Sequence, residues 1–129
     1  MKPEKLRGQH ELSNGLWLEI WDCSRPVAGD RWQVALEARI NVPVNAANLP
    51  PELAPEESAV SKILGPEVVF RRREERNFIS VEQVQEILEE MESRLLALAT
   101  AYLGHQDFAP RIIRQKYAEA LEKMAWQRT

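Results

Sequence analysis

Few side chains in this sequence could do chemistry. Cys23 is the single cysteine, and His10 and His105 are the only histidines. One thiol permits neither an intramolecular disulfide nor a four-cysteine zinc site. His105 with Asp107 could relay a proton or offer two metal ligands, but two ligands without a third make no site. Cys23 stands beside Asp22 and two positions before Arg25, and a cationic neighbour can lower a thiol pKa. A small half-buried residue in a turn is the simpler reading of it. The sequence has no Gly-rich phosphate loop, nucleophile elbow, His-Glu-x-x-His or Cys-x-x-Cys. It therefore assigns no catalytic residue, no metal and no cofactor, and an enzyme is the less favoured reading.

Two groups of residues stand out as binding candidates. Asp22, Arg25, Asp30 and Arg31 form a dense cluster of alternating charge, expected to tie a loop down with ion pairs. Within it Arg25 and Arg31 are the candidate contacts for a small anionic ligand. The second group arises from strand alternation. If Leu16, Leu18 and Ile20 face a core, Trp17 and Trp21 face the other way, together with Arg39, Val69, Arg71, Arg73 and the carboxylates Glu19 and Glu37. Four uses of that face are open: internal packing of indole rings on arginine stems, a homodimer or other protein interface, a single-stranded nucleic-acid platform, or a peptide or small-molecule groove. The glutamates on the face, and Glu74 and Glu75 directly after Arg71 to Arg73, count against nucleic acid and favour a salt-bridged ladder.

The elements that must position these groups read as strands first and helices later, which predicts an α+β domain over 1–129: an antiparallel β-meander of about four strands followed by a C-terminal antiparallel helix pair packed on one sheet face. Strands are expected at 5–12, 16–22, 31–42 and 67–78. Between the first two, Ser13-Asn14-Gly15 signals a hairpin. A three-residue loop ending in a left-handed Gly15 would set Leu12 opposite Leu16, placing Leu6, His10 and Leu12 on the face of Leu18 and Ile20. A two-residue loop would oppose Leu12 and Trp17, and is less favoured because it mixes polar and apolar faces. In the favoured register His10 is a partly buried, hydrogen-bonded structural histidine.

A proline-rich crossover fills 43–66, with a short helix at 55–64, and is the candidate for a mobile flap over a pocket near the 22–31 loop. Helices are expected at 81–103 and 109–126. Ser80 and Gln83 offer a capping box to the first, and Gly104 a stop. Its stripe runs through Val81, Val84, Leu88, Met91, Leu95, Leu98 and Tyr102, and that of the second helix through Ile112, Ile113, Tyr117, Ala120, Leu121 and Met124. The first helix is acidic, while Arg111, Arg114, Lys116, Lys123 and Arg128 make the second basic.

The composition agrees with one globular domain. The chain has 129 residues, 44% hydrophobic and 29% charged, with 17 Lys and Arg against 20 Asp and Glu for a formal charge of −3. Near-neutral balance argues against general affinity for nucleic acid or anionic lipid. No apolar run approaches the roughly 20 residues of a membrane span, and the start Met-Lys-Pro-Glu-Lys-Leu-Arg lacks a signal-peptide core. A cytoplasmic domain is expected, acting as a homodimer or on another protein; a small-molecule ligand is the alternative and nucleic acid comes third.

Overall fold

The computed structural model describes residues 4–127; Arg128, counted above with the basic residues of the last helix, lies outside them. Among the described residues the fold is α+β, with five antiparallel strands in one sheet and three helices, two of them C-terminal. The strands are β1 (Lys5–Glu11), β2 (Trp17–Asp22), β3 (Arg25–Ala28), β4 (Arg31–Pro43) and β5 (Glu67–Ser80), and the helices α1 (Glu57–Leu64), α2 (Val84–Leu98) and α3 (Phe108–Gln127). Two compact units are distinguished: Met1–Ile40 with Arg71–Gly104, and Asn41–Phe70 with His105–Thr129.

In the first unit the hairpin takes the three-residue loop. The Leu12 N–H donates to the Leu16 carbonyl at 2.8 Å, and Gly15 supplies the positive φ of 87°. His10 then pairs with Leu18 and Glu11 with Trp17. The register slips at a bulge between Leu6 and Gly8, so that Leu6 pairs with Trp21. The expected placement of Leu6 on the core face is thereby corrected. Leu6 is exposed, while Arg7 is largely covered and its guanidinium meets Glu92 of α2 at 2.9 Å. His10 is half-buried as expected, but its Nε2 is buried with no hydrogen-bond partner among the described residues.

Strand β3 occupies part of the segment expected to be a loop. Pairs from Leu18 with Ile40 to Asp22 with Leu36, and on to Arg25 with Gln33 and Pro26 with Trp32, all sum to 58. One constant register means that β3 continues β2 along the same edge of β4. The break at Cys23 and Ser24 is stitched by hydrogen bonds: the Ser24 N–H donates to Asp22 Oδ1, and the Ala35 N–H to Ser24 Oγ. Such local side-chain bonds replace part of a backbone ladder. Ala28 pairs with Arg31 across a tight Gly29-Asp30 turn in which Gly29 has φ 55°. The other partner of β4 is β5.

Helix α2 is preceded by a 3-10 turn, Val81–Gln83, and followed by a π-helical turn, Ala99–Leu103. Leu88, Met91, Leu95, Ala99 and Leu103 are buried, whereas Val81 and Tyr102, expected on the same stripe, are exposed. The altered winding at each end takes them off the 3.6-residue period. No side-chain bond from Ser80 caps the helix, so the expected capping box does not form; the Val81 N–H donates instead to the Asp30 carbonyl. At the other end the β1–β2 turn acts as the cap: Ser13 Oγ donates to the Gly104 carbonyl at 2.9 Å and Asn14 Nδ2 to the Leu103 carbonyl at 3.0 Å. Gly104 has φ −89°, so its role is not a left-handed stop. It is needed because a Cβ there would stand 2.8 Å from Ser13 Oγ.

In the second unit the proline-rich stretch is built from ordered pieces. The Val44 N–H donates to the Pro66 carbonyl, Val44, Leu49, Pro50 and Val60 are buried, and a 3-10 turn, Ala54–Glu56, leads into α1. Gly65, at φ 84°, ends α1. Helix α3 buries Phe108, Ala109, Ile112 and Ile113, and Phe108 meets Phe70 edge-on at 5.2 Å. Leu121 and Met124, expected on its buried side, are exposed. Its apolar stripe is used only in its first half.

Candidate functional site

The candidate site lies wholly in the first unit, on the face formed by odd-numbered residues of β2, β4 and β5. Register puts Trp21 opposite Glu37 and Glu19 opposite Arg39. Glu37 is the centre and is only 8% exposed. Its Oε1 accepts from Arg39 Nε at 2.6 Å and Arg71 Nη1 at 3.0 Å, and Arg73 Nη1 lies 3.7 Å from its Oε2. Arg39 also pairs with Glu4 and sets its guanidinium 4.7 Å from the centroid of the Trp21 ring, a cation–π contact. The indole Nε1–H of Trp21 donates to Glu19 Oε1 at 3.0 Å. Farther along the same face, Arg25 Nε donates to Gln33 Oε1, and Gln33 Nε2 to Asn77 Oδ1.

Burial alone would raise the Glu37 carboxyl pKa, but hydrogen bonds from Arg39 and Arg71 outweigh it and hold the group below its ordinary value. Cys23 moves the other way. Burial, then its hydrogen bond to Glu4 and the charges of Glu4 and Glu37, push the thiol up to about 11. Its Sγ–H donates to Glu4 Oε2 at 3.1 Å, so the half-buried thiol is a protonated donor and not an activated nucleophile. Glu4 Oε, Cys23 Sγ and a Glu37 carboxylate oxygen lie within 4.8 Å of one another, close enough to converge on a metal ion. Three guanidinium groups crowd the same carboxylates, however, and already supply their countercharge. The chemistry that fits is charge neutralisation.

Of the sequence-predicted residues, Trp21, Arg39, Arg71 and Arg73 come together here. Trp17, at the end of β2, is 53% exposed and pairs with Glu11. Val69 belongs to the second unit. Arg25 and Arg31 are exposed, and Arg31 approaches only its neighbour Asp30, at 3.7 Å, among the described residues. Residues 22–31 lie in one unit and 43–66 in the other. The central position of Glu37, the link from Glu4 and the inclusion of Cys23 were not foreseen. The first becomes visible only with the observed register, which opposes Glu37 and Trp21 on the face of the arginines.

The second unit holds a surface cleft of about 320 Å³ lined by Pro51, Asp107, Pro110, Arg111 and Arg114. Arg114 is engaged by Glu52. His105 Nδ1 accepts from the Asp107 N–H at 3.0 Å, which orders the turn before α3 and leaves this pair in a local hydrogen bond.

Among the described residues no helix is long and apolar enough to cross a membrane. Comparison of the chain with family models, with curated proteins and with solved structures finds no match.

Proposed function

We propose that this chain is a non-catalytic cytoplasmic domain that binds protein, a second copy of itself first, through the odd-numbered sheet face, with Trp17 as the anchor. One observation carries this reading: Trp17 is half-exposed at the end of a face whose interior is fixed by Glu37, Arg39 and Trp21. An indole held on a rigid, pre-ordered surface makes a good contact residue, because little side-chain entropy is lost on docking. The charges of the face nearly balance, with Glu4, Glu19, Glu37 and Glu75 against Arg39, Arg71 and Arg73. A two-fold interface presents a patch to itself, so a patch of mixed sign can complement its own copy where a patch of one sign would repel it.

The same facts weigh against the other uses of the face. Arginines committed to Glu37 and Glu4 are poorly disposed to hold phosphate. A protonated thiol and ion-paired carboxylates offer no base or nucleophile. The reading also takes α2 to cover the opposite face, over Leu18 and Ile20, consistent with the Arg7 to Glu92 pair.

Light scattering across a concentration series tests the proposal. The wild-type protein is expected to self-associate at high micromolar concentration, and Trp17→Ala to weaken association about tenfold or more. Association unchanged by Trp17→Ala removes this face as the contact.

A further inference from the structure

Strand β5 pairs with β4 alone among the described residues, which leaves its other edge without a strand neighbour. Unpaired sheet edges are templates for another strand, and proteins commonly blunt them with charge. Here the charges have an order. Arg71-Arg72-Arg73-Glu74-Glu75 is a basic block followed directly by an acidic one. Laid antiparallel against its own copy with Arg73 opposite Arg73, it sets Arg71 against the copy's Glu75 and Arg72 against its Glu74, each twice by symmetry. Four of the five facing pairs are then of opposite sign. Shifting the register by two residues, so that Glu74 faces Glu74, brings Arg72 against Arg76 twice and leaves two of five facing pairs, Arg73 with Glu75, of opposite sign.

We propose that the open edge of β5 binds the β5 edge of a second copy, antiparallel and centred on Arg73, joining two sheets into one. Backbone hydrogen bonds supply the attraction, and the charge order fixes the direction and register. Antiparallel pairing keeps facing side chains on one side of the sheet. Arg71 and Glu75 therefore face each other on the Glu37 side, where each already has a partner in its own chain, Glu37 at 3.0 Å and Arg73 at 3.1 Å, and Arg72 and Glu74 on the other. The latter two are the better probes. Among the described residues the ion-pair partner of Arg72 is Glu74 of its own strand, at 3.8 Å and with Arg72 half exposed, so changing it spares the ion pairs of Glu37. The edge is a surface distinct from the Trp17 patch, and a chain with two separate two-fold contacts builds tetramers or longer arrays, so each contact is lost separately.

The test is a charge exchange read by sedimentation at low salt, with circular dichroism confirming the fold of each variant. Arg72→Glu and Glu74→Arg each place like charges across the edge, and each is expected to weaken edge association by about tenfold. Mixed in equal amounts, the two variants face each other with opposite charges at every exchanged position and should recover wild-type association. The double variant Arg72→Glu/Glu74→Arg keeps all four opposite-sign pairs and should associate like the wild type. Trp17→Ala should leave the edge contact intact. A monomeric wild type, single variants as associated as the wild type, or a mixture that stays apart each overturns the edge pairing. Loss of association in Trp17→Ala with none in the charge variants assigns self-association to the indole face and removes it from β5.

Discussion

Two arginine-bearing regions that have β4 in common behave oppositely. Around Glu37, three arginines share one nearly buried carboxylate, and Arg39 is further held by Glu4 and the Trp21 ring. At the end of the β3–β4 arm, Arg25 and Arg31 are exposed, and their partners are Gln33 and the adjacent Asp30. Both regions read in the sequence as mixed-charge clusters. What separates them is covering. Low local dielectric strengthens each charge interaction and makes any unpaired member costly, whereas water at the exposed end screens both attraction and loss. The first region is thus part of the framework, and the second is free to change.

The largest effect should follow from breaking the covered region. Glu37→Gln leaves Arg39, Arg71 and Arg73 facing one another without their shared anion. Arg71 and Arg73 are partly exposed and can turn to water, so the expected loss is about 2–3 kcal/mol and not more. Thermal melts should fall by roughly 10 °C. A pH series sharpens the comparison. Because the folded Glu37 pKa is depressed, its stabilisation is complete above the unfolded value of about 4.3 and is lost as pH falls through the folded value. The wild type should therefore lose its margin over Glu37→Gln in acid, and a constant margin down to pH 2 would contradict the assignment.

A smaller effect belongs to Cys23, at the border of the covered region. With its pKa near 11, it should react with iodoacetamide at pH 8 on the order of 100-fold more slowly than a free cysteine. Unfolding in urea should remove the protection. Alkylation at the free-thiol rate in the native protein would place Cys23 outside the cluster. The smallest effects are expected at the exposed end: Arg25→Ala and Arg31→Ala should each change stability by less than about 0.5 kcal/mol in urea titrations. A loss comparable to that of Glu37→Gln would erase the distinction between the regions.

How much of this was legible in the sequence depended on whether a feature was local. The Ser13-Asn14-Gly15 turn, the alternation of β4 and the periodic part of α2 were legible, because turn chemistry and hydrophobic period act over a few residues. The bulge beside Arg7 was not, since a single extra residue leaves no mark on the pattern until strand and helix are paired, and it moved Leu6 outward and Arg7 inward. The strand β3 was hidden by Pro26 within it and by Gly29 in the turn after it, which announce a loop even where an edge strand tolerates the proline. The cap on α2 comes from Ser13 and Asn14, about 90 residues away, and no local signal carries it.

The candidate face was only half legible. Alternation put Trp21, Arg39, Arg71 and Arg73 on one face, where the structure brings them around Glu37. It could not tell that Glu37 is covered, because burial of a polar residue is set by what lies across from it. It placed Trp17 and Trp21 on one face, which they share, but not their different surroundings: one indole is bonded to Glu19 and lies against Arg39, while the other meets solvent.

That difference between two tryptophans gives the most direct measurement. The indole N–H resonances of ¹⁵N-labelled protein, assigned by Trp17→Ala and Trp21→Phe, can be followed from dilute to high micromolar concentration. The Trp17 signal should shift with concentration while that of Trp21, already hydrogen-bonded within the fold, stays in place. A Trp17 resonance that does not move, in a protein that nevertheless associates, would show that the odd-numbered face is framework alone and that the contact lies elsewhere.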